Sequence, residues 1–111
     1  LLSFFPMNQE TNNPEIKNLE NVFINVTLVR DAAMLELNSK YKNKNYPTDV
    51  LSFNINEKME DGKFYLGDVV VNIEQAERQA SEYGNDLRHE IAELVEHGVL
   101  HLLGVHHEHD E

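Results

Sequence analysis

Hydrophobic and polar residues alternate through NVFINVTLV, residues 21–29. The apolar face of this segment carries Val22, Ile24, Val26 and Leu28. A period of two is typical of a β-strand that buries one side. Comparable patterns predict a second strand in TDVLSFNI, residues 48–55, and a third in FYLGDVVVNI, residues 64–73. Because the third segment is almost continuously apolar, we expect it to lie in the centre of a sheet.

Three further segments show the helical spacing of apolar residues. The first covers residues 31–41, the second begins at residue 73, and the third runs from Leu87 to about Leu103. The predicted N-caps are Asp31, Asn72 and Asp86, and the predicted ends of the last two helices are Gly84 and Gly104. Two strands in succession between helices predict an α+β fold, in which a mixed β-sheet packs against helices and the last helix lies near the C-terminus.

Length and composition fit a single domain over residues 1–111, of which residues 1–20 show no well-defined element. The chain has no cysteine, so a transition metal would have to be bound by histidine and carboxylate. No apolar run is long enough for a membrane span or for the core of a signal peptide. We therefore expect a cytoplasmic protein with no membrane partner.

The formal net charge of −11 opposes non-specific binding to nucleic acid or anionic lipid. An RNA substrate would therefore need a local basic site. The densest basic stretch is SKYKNKN, which contains Lys40, Lys42 and Lys44. A solvated loop is the alternative interpretation of this stretch.

The last predicted helix runs into HGVLHLLGVHH, residues 97–107. Two imidazoles four residues apart, His97 and His101, lie above one another on a helix and can reach the same ion. A pair at this spacing is also common on helix surfaces. A turn at Gly104 would let His107 supply a third nitrogen, with His106 and His109 as alternatives. Three protein ligands and a vacant fourth position predict a catalytic type of metal site.

The residue after His97 is Gly98, whereas HExxH metallopeptidases have a glutamate there as general base. Because glycine cannot accept a proton, the sequence disfavours peptide hydrolysis. Phosphodiester cleavage instead needs a metal that activates water and a cation that stabilises charge on the phosphate. Lys42 is the predicted catalytic cation if it lies over the metal cleft. The general base stays open between the metal-activated water itself and a carboxylate elsewhere.

Three blocks resemble the YbeY family of bacterial rRNA-maturation factors, whose signature is HGxLHLxGYDH. The blocks are YKNKNYPTDVLSF (41–53), LGDVVVN (66–72) and HGVLHLLGVHH (97–107). The resemblance implies a metal-dependent, single-strand-specific endoribonuclease that matures the 3′ end of small-subunit rRNA and acts in ribosome quality control. It implies one zinc-like ion bound by His97, His101 and His107. The implied partners are ribosomal RNA, the small ribosomal subunit and ribosome-associated proteins, with no role for DNA.

The sequence departs from the family pattern at two places, which cover three residues. Lys42 replaces the family's functional arginine, which keeps the charge but loses the bidentate fork. Val105 and His106 replace the signature's Tyr-Asp, which removes a carboxylate near the metal. Many family members also continue into a further C-terminal helix, and the pattern of residues 1–111 does not predict one after His107. These departures support an alternative hypothesis, a ribosome-associated assembly or binding factor with a mainly structural metal. A hydrolase acting on a small substrate is a third hypothesis.

Overall fold

The structure is a computed structural model that describes residues 21–105. Its elements in chain order are β1 (Val22–Val29), α1 (Asp31–Lys42), β2 (Val50–Lys58), β3 (Phe64–Asn72), α2 (Ile73–Tyr83) and α3 (Leu87–Leu102). These elements confirm the predicted α+β class. The second strand begins two residues later and ends three residues later than predicted.

The three strands form a mixed sheet in the order β1-β3-β2. β1 pairs with β3 in parallel, and β2 pairs with β3 antiparallel. The predicted central position of the third strand is confirmed. Leu66 is an extra residue in β3 relative to β1, since Phe23 pairs with Tyr65 and the next residue of β1 pairs with Gly67. This order leaves β2 at an edge of the sheet.

The two faces of the sheet bury separate apolar clusters. On one face, β1 and β3 pack against α3; the fully buried members there include Leu66, Val69, Val71 and Val99. On the other face, Met34 of α1 packs against Leu51 of β2 and Val70 of β3. The edge strand β2 therefore has α1 on one side and α3 on the other. Leu28, predicted to be on the buried face of β1, is 49% exposed near the end of β1, which is the other edge strand of the sheet.

Asn72 links three parts of the fold from a fully buried position between β3 and α2. Its Oδ1 accepts hydrogen bonds from the backbone N–H groups of Glu74 and Gln75, which confirms the predicted cap of α2. Its Nδ2 donates to Asp31 Oδ1 at 2.7 Å and to the carbonyl oxygen of Thr48 at 3.2 Å. The starts of α1 and α2 and the segment before β2 are thereby held together.

The prediction that Asp31 caps α1 is wrong, because the N-cap is Arg30 and Asp31 is the first helical residue. The Asp31 carboxylate is instead used in tertiary contacts, where it accepts hydrogen bonds from Arg78 at 2.8 and 3.0 Å and from Asn72. The Arg78 guanidinium, followed by the Asn72 amide, lowers the pKa of Asp31 below its ordinary value. The predicted cap at Asp86 and the predicted end at Gly84 are confirmed.

Within residues 21–105, every helix is too short or too polar to cross a membrane.

Candidate functional site

The imidazoles of His97 and His101 lie side by side on α3. Their ring centroids are 4.9 Å apart and their planes differ by 25°. Both residues are partly buried and both line one cleft of about 400 Å³. The predicted shared face of the two histidines is therefore present, and it opens onto a space large enough for a small ligand or part of a larger one.

Gly98 lies at a close contact between α3 and the sheet. Ser52 Oγ of β2 donates a hydrogen bond to the carbonyl oxygen of Gly98 at 2.9 Å. A Cβ atom at Gly98 would lie 2.6 Å from Val69 Cγ1 and 3.0 Å from Ser52 Oγ. One turn further along, Asn54 Nδ2 donates to the carbonyl oxygen of Leu102 at 2.9 Å. The position that carries glutamate in HExxH peptidases therefore faces the sheet and has no room for a side chain.

These contacts explain how the histidines are aimed. The buried face of α3 includes Leu94, Val95 and Gly98. Because β2 also binds two backbone carbonyls of α3, the rotation of the helix about its own axis is set by the sheet. His97 and His101 are thereby turned toward the edge of β2, where the cleft lies.

Four other parts of the chain complete the cleft. The end of α1, the segment between α1 and β2, the start of β2 and one side of α2 all contribute. Besides the histidines, the lining residues are Asn38, Lys42, Lys44, Tyr46, Pro47, Thr48, Asp49, Val50, Leu51, Ser52, Gln75 and Gln79. The cleft exists because α1 and α3 pack on opposite faces of the sheet beside the same edge strand.

Lys42 is the predicted catalytic residue, and it lines the cleft together with the histidines. It lies in the last turn of α1 rather than in a loop, as does Lys40, so the loop interpretation applies only to Lys44. Cations at this end of a helix are favoured by the helix dipole. Lys44 also lines the cleft. An acidic chain therefore has a local basic site, which is what an RNA substrate requires.

Asp49 is the one carboxylate among the described residues that line the cleft. Gln79 Nε2 donates a hydrogen bond to Asp49 Oδ2 at 3.2 Å, which restrains the carboxylate. The backbone is held as well, because the N–H of Asn72 donates to the carbonyl oxygen of Asp49 at 2.8 Å. Sequence reasoning missed Asp49, because a single carboxylate in a polar segment has no periodic signal.

Asn38 is a second cleft residue that the sequence did not predict. It is fully buried and lies one helical turn before Lys42 on the same side of α1. Its Nδ2 donates to the carbonyl oxygen of Tyr46 at 2.7 Å, and its backbone carbonyl accepts from the N–H of Lys44 at 3.2 Å. Asn38 therefore fixes the segment that carries Lys44 and Tyr46 at the mouth of the cleft. Its position four residues before Lys42 is the sequence signal that could have identified it.

Glu90 and Glu93, which precede His97 on α3, do not line the cleft. Glu93 is exposed, and its Oε1 lies 3.0 Å from Nε2 of His89, which precedes it by one turn of α3. Glu90 is buried, 5% exposed, which the helical pattern did not predict. The described part of the cleft therefore has more cationic side chains than carboxylates.

The predicted metal site is only partly within the described residues. In residues 21–105, no group of three or more histidine and carboxylate side chains is arranged to hold an ion. The third predicted ligand, His107, lies outside the described residues, as do His106 and His109. The chain does turn at Gly104 as predicted, with φ of 87° and a hydrogen bond from the N–H of Val105 to the carbonyl oxygen of Leu100 at 2.9 Å. Two adjacent imidazoles on one cleft wall fit a divalent transition metal.

Residues 5–111 match the family model described as Endoribonuclease YbeY. The chain is 46% identical over 95 residues to an Endoribonuclease YbeY of Persephonella marina, covering 85% of this chain and 62% of the relative. It is 47% identical over 90 residues to one of Aquifex aeolicus, covering 81% and 59%. The solution structure of a Thermotoga maritima protein matches with a TM-score of 0.54 and 36% identity, covering 81% of this chain and 57% of that one. The chain thus spans about 60% of the length of these curated relatives.

Proposed function

We propose that this chain, which belongs to the Endoribonuclease YbeY family, is the metal-binding part of an endoribonuclease that cleaves single-stranded RNA. The observation that carries this proposal is the cleft in which an imidazole pair and two lysines meet. We further propose that the substrate is ribosomal RNA near the 3′ end of the small-subunit RNA, with the small ribosomal subunit as partner. Since bacterial rRNA is made in the cytoplasm, the proposal also places the protein there.

His97 and His101 would hold the metal, with His107 as the proposed third ligand. Imidazole donors without a thiolate suit zinc, which is the ion we propose. When bound, such an ion supplies Lewis acidity toward a phosphate oxygen and lowers the pKa of water.

The remaining cleft residues are assigned by their chemistry. Lys42 and Lys44 bind the phosphate groups of the RNA and offset the charge that develops on the phosphate during cleavage. Asp49, restrained by Gln79, is the carboxylate of the described cleft residues that would accept a proton from water. Gly98 leaves the site without the glutamate base of a peptidase, which supports a phosphodiester rather than a peptide as substrate.

The test combines metal content with RNA cleavage. Elemental analysis is made on protein purified without nickel affinity, and cleavage of a single-stranded fragment of the rRNA 3′ end is measured in parallel. We expect about one metal per chain, and we expect His101→Ala to lose both metal and cleavage. His89→Ala is the matched control, because His89 lies on the same helix but is exposed and pairs with Glu93. It should keep both properties.

The outcomes separate the proposal from the assembly-factor hypothesis. Cleavage that survives in a metal-free His101→Ala variant would refute the proposed site. Metal without cleavage in the wild-type protein would instead favour a binding factor in which the metal is structural. In that case, chelation should lower the melting temperature and abolish ribosome binding. Restoring the family's arginine through Lys42→Arg should raise cleavage if the guanidinium fork is what limits it.

A further inference from the structure

Tyr41 and Phe53 form an aromatic pair beside the cleft. Tyr41 lies near the end of α1 and Phe53 lies on the α1 face of β2. Their ring centroids are 5.4 Å apart with an interplanar angle of 71°, so one ring meets the other edge to face. Phe53 is partly buried against the Met34 cluster, whereas Tyr41 is 56% exposed. Core packing therefore accounts for Phe53 but not for the exposed tyrosine.

Two lysines lie against the same rings. Lys40 Nζ is 5.2 Å from the centroid of the Tyr41 ring, and Lys42 Nζ is 5.5 Å from the centroid of the Phe53 ring. Both distances are within the range of a cation–π contact. Lys42 also lines the histidine cleft. The aromatic pair therefore lies beside the cleft, because Lys42 contacts the Phe53 ring and also lines the cleft that holds the histidines.

We propose that Tyr41, supported edge-on by Phe53, is a stacking site for one unpaired nucleobase of the RNA. Proteins that bind single strands combine exposed aromatic rings, on which bases stack, with cations that contact the backbone. The Tyr41 ring and the flanking Lys40 and Lys42 supply both elements within one turn of helix. A nucleotide stacked on Tyr41 would present its phosphate to these flanking lysines, of which Lys42 lines the cleft.

This arrangement gives a physical reason for single-strand specificity. In a duplex each base is stacked between its neighbours and paired, so neither of its faces is available to Tyr41. The inference rests on the proposed function for where cleavage occurs, but the stacking itself can be measured without cleavage.

The test is binding of a fluorescein-labelled single-stranded oligoribonucleotide, followed by fluorescence anisotropy. Tyr41→Ala should raise the Kd about tenfold, which is within the range of one lost base–aromatic stack. Tyr41→Phe should bind like the wild type, since stacking does not need the hydroxyl. Tyr83→Ala is the matched control, because Tyr83 is exposed like Tyr41 (66% against 56%) but lies on α2 and not beside Lys40 and Lys42 on α1. The melting temperature of each variant shows whether it is folded.

An abasic scan of the oligonucleotide identifies the partner of Tyr41. One abasic position should weaken binding to the wild type about tenfold, and the same substitution should have little further effect on Tyr41→Ala. A duplex of the same sequence should bind wild type and Tyr41→Ala equally. The proposal is overturned if Tyr41→Ala binds the single strand as tightly as Tyr83→Ala does. It is also overturned if the abasic and Tyr41 effects simply add at every position.

The proposed nuclease function and the proposed stacking site at Tyr41 can fail independently of each other. If Tyr41 controls binding but no cleavage is detected, the stacking site stands and the nuclease assignment fails. If cleavage depends on His101 while Tyr41→Ala changes neither Kd nor KM, only the stacking site fails.

Discussion

Replacing Gly98 by alanine should destabilise the protein, although alanine is the better helix former. The new Cβ would lie 2.6 Å from Val69 Cγ1, 3.0 Å from Ser52 Oγ and 3.1 Å from Val69 Cγ2. Val69 is fully buried in the central strand. Because the branched Cβ of a valine restricts χ1 and the surroundings are closely packed, Val69 cannot turn away without disturbing its neighbours.

Two opposing contributions set the change in the free energy of unfolding that Gly98→Ala causes. Alanine is favoured over glycine in a helix interior by about 1 kcal/mol. An extra methyl group in a packed core costs about 1–3 kcal/mol, and a contact this short at a rigid residue belongs in the upper part of that range. The expected net loss in the free energy of unfolding is about 1–2 kcal/mol, or a fall in Tm of roughly 5–10 °C for a chain of this length.

Urea unfolding followed by far-UV circular dichroism measures the effect as a lower midpoint with an unchanged m-value. Ala92→Gly, at an exposed position of the same helix, isolates helix propensity and should cost about 0.5–1 kcal/mol. In a Val69→Ala background the clash with Cγ1 and Cγ2 is gone, so Gly98→Ala should become neutral or stabilising. A Gly98→Ala protein at least as stable as the wild type would refute the close approach of α3 to the sheet.

Three further predictions concern groups outside the cleft. Asn72→Ala removes the cap of α2 and leaves the buried carbonyl of Thr48 without its donor, so we expect a loss of about 2–4 kcal/mol in urea unfolding. The pKa of Asp31 is lowered in the folded state, so its ionised carboxylate stabilises the folded protein above the unfolded pKa near 3.8, and this stabilisation is lost as the pH falls below that value. The Tm difference between wild type and Asp31→Asn should therefore shrink from about pH 5 to about pH 3. A hydrogen bond to Asp68 raises the pKa of Tyr65 to about 12. This hydrogen bond therefore stabilises the folded protein below the ordinary tyrosine pKa of 10.0, and the stabilisation is lost as the pH rises from there to about 12. Ultraviolet titration should show a late-ionising tyrosine component that disappears in Tyr65→Phe.

Local interactions account for what could be predicted from the sequence. The caps at Asn72 and Asp86 and the turn at Gly104 depend on residues within a few positions of each other, so their signals survive in a linear chain. The same holds for His97 and His101, because helix geometry alone brings residues four apart together. The prediction for Asp31 failed because a carboxylate at a helix start can either cap the helix or bind a distant guanidinium, and Arg78 lies on another helix.

Contacts between distant segments account for the features that the sequence did not predict. The sequence by itself determined the element types, the imidazole pair and the absence of a glutamate at Gly98. Only the tertiary structure decided that Lys42, Lys44 and Asp49 share a cleft with the histidines, because that cleft depends on α1 and α3 packing on opposite faces beside the edge strand β2. It also supplied the reason for the glycine. The position after His97 faces Val69 and Ser52 across a helix–sheet contact too close for any side chain, and no local pattern records that distance.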